Sequence, residues 1–146
     1  MRDELGGRLL VIFDGRCGLC NRAVRWLMQR DRGDRLRFAP SDSPQIAEVL
    51  VRHGLGAQDA QFGPDSIMVV SSVGGPAERV LFRSEAVLAL LAELPQPWPL
   101  MAAAAHWIPQ TPRDLAYRLV ARWRYRIWGR LEQCPLPSSS ERERFL

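Results

Sequence analysis

The chain has 146 residues, enough for one domain with a sizeable core. Its 47% hydrophobic and 25% charged residues exclude a disordered or collagen-like chain, and no apolar run is long enough to cross a bilayer. All 20 basic residues are arginine, which rules out lysine chemistry such as a Schiff base, and a net charge of +4 is too modest to imply nucleic acid. Three cysteines are too few for a secreted disulfide scaffold. With a charged start, Met1-Arg2-Asp3-Glu4, and no signal peptide, a cytoplasmic monomer is expected.

Arg8–Phe13 is a short apolar run closed by Asp14-Gly15, the pattern of a buried strand. From Gly18 to about Arg30, Cys20, Ala23, Val24, Leu27 and Met28 recur at helical spacing. Asp31-Arg32-Gly33-Asp34 ends that helix. Leu36–Ala39 alternates as a second strand stopped by Pro40, and Ser43-Pro44 opens a helix that runs to about His53. Ser66–Ser72 and Arg79–Phe82 read as two strands around a Gly-Gly-Pro turn. Ser84 is expected to cap a helix from Glu85 to Leu94, which Pro95 stops. The order β-α-β-α-β-β-α implies a mixed four-stranded sheet with helices on both faces, an α/β fold.

An extension follows. Pro95, Pro97 and Pro99 stiffen the connection, a short helix covers Leu100–Trp107, and Thr111-Pro112-Arg113-Asp114 reads as a capping box. The helix it opens runs to about Trp128. Ala116, Leu119, Val120, Trp123 and Ile127 form its apolar stripe, with Arg118, Arg122 and Arg126 off it. Packing of that stripe on the core is favoured over contact with a membrane or partner. The expected organisation is a domain over residues 1–95, a packed helical extension over 96–131 and a loose tail over 132–146, where Pro137 and Ser138–Ser140 favour disorder.

Cys17 and Cys20 form a CxxC between the first strand and the first helix. Two cysteines three apart at a helix start share one face and meet disulfide geometry with little backbone movement. Cys17 sits nearest the free N–H groups at the positive helix end, so its thiolate is stabilised; Cys20, one turn in, keeps its proton longer. Cys17 then attacks a substrate disulfide and Cys20 resolves the mixed disulfide. A zinc half-site and a chance pair are the other readings. The two histidines, His53 and His106, lack ligand-like spacing to any cysteine, so no metal is expected.

The segment Asp14-Gly15-Arg16-Cys17-Gly18-Leu19-Cys20 has the form DGxCxxC. It resembles the DCC family of predicted thiol–disulfide oxidoreductases. Val24-Arg25-Trp26-Leu27, Ser84-Glu85-Ala86-Val87-Leu88, Tyr117-Arg118-Leu119 and Arg124-Tyr125 extend the likeness over most of the chain. The resemblance implies a thioredoxin-like fold, matching the element order, and redox chemistry whose only cofactor is the Cys17–Cys20 disulfide. Its partner would be a disulfide or dithiol substrate.

Asp14 either tunes the thiols or shapes an Asp-Gly turn. Pro64, two residues before the third strand, only loosely matches the cis-proline that thioredoxin-like proteins place there. Cys134 reads as a small half-buried residue rather than a third redox thiol. The alternative function is a thioredoxin-like binding module with vestigial cysteines, whose Arg- and aromatic-rich last helix docks a partner or an anionic surface.

Overall fold

The computed structural model describes residues 7–13, 18–41, 43–54, 67–73, 75–128 and 142–145. In chain order these form β1 (Leu9–Phe13), α1 (Gly18–Arg30), β2 (Leu36–Pro40), α2 (Pro44–Arg52), β3 (Met68–Ser71), β4 (Arg79–Phe82), α3 (Arg83–Ala92), α4 (Trp98–Ala105) and α5 (Gln110–Trp128). A 3₁₀ turn, Arg142–Arg144, follows. The sheet runs β2-β1-β3-β4; β1 is parallel to β2 and antiparallel to β3, and β3 is antiparallel to β4. This mixed four-stranded α/β architecture is the thioredoxin-like class expected from the sequence.

Strand alternation divides the core into two layers. Leu10 and Ile12 of β1 join Met68 and Val70 of β3 on one face, under Ile46, Val49 and Leu50 of α2. Val11, Phe13, Leu36, Phe38 and Val69 point to the other face, against Val24 and Leu27 of α1 and Ala86 and Leu90 of α3. With β1 buried on both faces, its sequence is a continuous apolar run rather than an alternating one.

Helix starts differ from the expected ones. Ser84 lies inside α3, whose N-cap is Phe82; its Oγ donates 2.5 Å to Asp114 Oδ1 of α5 instead of capping. Helix α5 begins at Gln110, with the Pro109 carbonyl accepting from Arg113 N, so the Thr111–Asp114 box falls within the first turn. Asp114 reaches across the fold to Ser84. Helix α4 also starts earlier, at Trp98, just after the cis Gln96–Pro97 peptide.

The expected loose tail does not extend through Arg142–Phe145. Phe145 bridges to Phe38 on the β2 edge and sets its ring 6.2 Å from Phe13 and 6.0 Å from Phe38. Arg144 Nη1 donates to the Met28 carbonyl at 3.0 Å. An aromatic and an arginine therefore anchor the segment despite the serine-rich approach.

The α1–β2 turn is built from two aspartates. Asp31 is buried; its Oδ1 accepts from Arg35 N at 2.9 Å and its Oδ2 from Leu36 N at 3.0 Å. Asp34 adopts φ 53° and receives a bidentate pair from Arg37 at 2.8 and 3.0 Å, plus Arg8 Nη2 at 3.2 Å. The Arg37 hydrogen bonds, aided by the nearby charges of Arg37, Arg8 and Arg144, outweigh partial burial and lower its pKa from 3.8 to about 2. A depressed folded pKa contributes stability above the unfolded value and loses it as pH falls from about 4 through about 2. Asp34→Asn should therefore flatten the acid limb of stability. Because the side chain is 46% exposed, the loss at neutral pH is at most about 1 kcal/mol. Urea midpoints at neutral pH and near pH 3 check this; equal acid sensitivity in both proteins would refute it. Asn tolerates the left-handed backbone, so the substitution isolates charge.

Candidate active site

The register fixes where the chemistry lies. Ile12 of β1 pairs with Met68, the first residue of β3, and Met68 pairs with Phe82, the last of β4. The C-terminal end of β1, the N-terminal end of β3 and the start of α3 therefore share one end of the sheet. Phe13 closes β1 there, and its carbonyl accepts from Ser41 N at 2.9 Å. Helix α1 begins five residues later, at Gly18, on the same end.

Cys20 is the third residue of α1, half-buried against the second core layer. It lies in the first turn, at the positive end of the helix dipole. The first turn of α1 carries no acidic residue. Asp14, Cys17, Pro64 and Cys134 lie outside the described residues.

Helix α5 closes this end of the sheet, packing on α1 and α3. Tyr117 Oη accepts from Ile67 N at 2.9 Å, the residue before β3, and Asp114 accepts from Ser84. The expected apolar contact does not carry this docking. Leu119, Val120, Trp123 and Ile127 are exposed, and the helix seats through polar side chains. An apolar cavity of about 330 Å³ separates the start of α5 from Val87 and Leu88 of α3. On its wall, Arg113 Nε and Nη1 are buried with no hydrogen-bond partner among the described residues, a cost of about 1–3 kcal/mol for such donors.

Sequence reasoning gave Ser84 a capping role and Tyr117 none, although both fall in segments that carry the family likeness. Their work is long-range: Tyr117 meets a residue 50 positions away, and Ser84 one 30 away. Spacing along the chain holds no signal for such pairs. His53 is committed elsewhere, 2.6 Å from Glu78, and Arg52 binds the same carboxylate at 3.1 Å. Among the described residues no cluster of His, Cys, Asp and Glu could hold a metal ion, and no helix is long and apolar enough to cross a membrane.

A chloroplastic DCC family protein of Arabidopsis thaliana is 32% identical over 129 residues, covering 88% of this chain and 70% of the relative. The uncharacterized protein YuxK of Bacillus subtilis is 31% identical over 144 residues, covering 99% of this chain and 97% of the relative. No solved structure matches. Residues 11–130 match the DCC1-like thiol-disulfide oxidoreductase family, a span from mid-β1 to just past α5 that takes in the CxxC and all five helices. The chain belongs to the DCC1-like thiol-disulfide oxidoreductase family.

Proposed function

We propose that this protein is an enzyme that exchanges a Cys17–Cys20 disulfide with disulfide or dithiol substrates. The reading is carried by the seat of Cys20, half-buried in the acid-free first turn of a helix that follows the sheet's first strand. In that setting the N–H groups and dipole favour a thiolate at the preceding cysteine, while burial favours the protonated form of Cys20.

In the reducing direction, the Cys17 thiolate attacks one sulfur of the substrate disulfide. That S–S bond breaks, a mixed disulfide forms and the departing sulfur leaves as thiolate. Cys20 gives its proton to this leaving thiolate, directly or through water, and its own sulfur attacks Cys17 Sγ. The substrate's second sulfur leaves as thiolate and takes a proton from solvent. The substrate gains two electrons and the chain retains a Cys17–Cys20 disulfide. Asp14, next to Phe13 at the end of β1, is assigned to proton relay for Cys20. No metal or organic cofactor enters this scheme, and a reducing compartment suits its recycling.

Redox titration with thiol mapping by mass spectrometry tests the proposal. The expected result is reversible two-electron pairing of Cys17 with Cys20 while Cys134 remains a thiol. A dominant link through Cys134, or no disulfide at any poise, would overturn it.

A further inference from the structure

Ten large hydrophobic residues are exposed among those described, and nine of them lie between Leu100 and Ile127, on α4, α5 and their connection. On α5, Leu115, Leu119, Val120, Trp123 and Ile127 are each at least 44% exposed. At 100° per residue they occupy a sector of about 140°. This is a full amphipathic face, turned away from the core that such faces ordinarily cover. Leu100 and Met101 of α4, which carries no charge, and Trp107 and Ile108 of the connection are also exposed, Trp107 to 90%.

Charge selects the occupant. Arg118, Arg122 and Arg126, four residues apart, run along one border of the apolar sector, all exposed. The guanidinium of Arg126 lies 5.1 Å over the Trp123 ring. Asp114 is the one acid in the α5 sequence, and Ser84 engages it. A second copy of this face would bring only more arginine to the row, so self-association lacks a countercharge. An apolar sector bordered by arginines, with exposed tryptophans, is the composition of a helix that lies in an anionic lipid interface. Trp107 is 90% exposed and the α5 sector is exposed from Leu115 to Ile127, a length of apolar surface that suits a bilayer interface.

We propose that α5, with the Trp107–Ile108 connection, docks this protein on anionic membrane surfaces, lying in the headgroup plane without crossing. The apolar sector enters the interface and the Arg118–Arg122–Arg126 row binds lipid phosphates. The docking does not depend on the redox reading.

Flotation of the full chain with phosphatidylcholine vesicles, with and without phosphatidylglycerol, tests the proposal. Binding is expected only to the anionic vesicles. It should be lost near 1 M salt, where the Debye length falls to about 3 Å. An arginine near an anionic surface changes affinity about fivefold, so Arg118→Gln, Arg122→Gln and Arg126→Gln together should weaken binding on the order of 100-fold. Their exposure predicts an unchanged melting temperature, and circular dichroism controls for that. Trp107→Ala with Trp123→Ala should weaken binding without altering its salt sensitivity. Binding to neither vesicle, or equal binding to both, would overturn the proposal. So would triple-variant binding equal to wild type, or a change only in self-association, which would mark the face as a protein interface.

Discussion

In the Cys20→Ser variant, mixed disulfides with substrate should accumulate, and in Cys17→Ser none should form. Turnover falls to the uncatalysed background in both. The asymmetry follows from the helix end. The attacking sulfur must be the thiolate at working pH, and Cys17 directly precedes in sequence a helix whose first turn carries no acidic residue. Cys20 is packed against the second core layer, where an incoming protein disulfide meets more obstruction. Serine at position 20 keeps the local volume but cannot attack Cys17 Sγ, so the covalent intermediate persists. Non-reducing electrophoresis with peptide mapping reads the outcome. Trapping by Cys17→Ser rather than Cys20→Ser would show that the roles are reversed. Equal trapping by both would show that α1 does not differentiate the thiols.

The legible parts of the sequence were those governed by local rules. Strand β1 was visible because both its faces are buried, and α1 because its stripe recurs at 3.6 residues. Cys20 could be placed because it falls in the first turn of α1. The parts that stayed hidden depend on distant partners. Phe145 lies beyond a Pro- and Ser-rich stretch, and nothing local reveals that Phe13 and Phe38 leave a place for its ring. The fate of the α5 stripe was equally unreadable, since periodicity identifies an apolar face without saying what covers it. The seating of α5 was settled instead by Asp114 and Tyr117, whose partners are residues of α3 and the β3 entry. Asp31 looked like one more polar residue at a helix stop; its burial makes it the main clamp of the turn.

Asp31→Ala should be the most destabilising change at any polar residue described. Asp31 is only 1% exposed at the end of the helix that carries Cys20. Both carboxylate oxygens are used: one holds Arg35 N, and the other holds Leu36 N and lies 3.5 Å from Arg144 Nη1. Leu36 is fully buried and starts β2 in register with Leu9, so the carboxylate sets where the edge strand enters the sheet. Alanine leaves two backbone donors without acceptors and removes the countercharge that holds the final turn. Leaving two backbone donors without acceptors costs about 1–3 kcal/mol each, so about 3–5 kcal/mol is expected. For a chain of this length that lowers the melting temperature by roughly 10 °C or more. Asp31→Asn, which keeps one acceptor oxygen, should fall between. Arg144→Ala should cost about 1 kcal/mol or less, because that arginine is partly exposed and the two backbone bonds survive without it. Thermal melts of the three variants decide the matter. If Asp31→Ala melts no lower than Arg144→Ala, the backbone alone sets the turn and the carboxylate is dispensable.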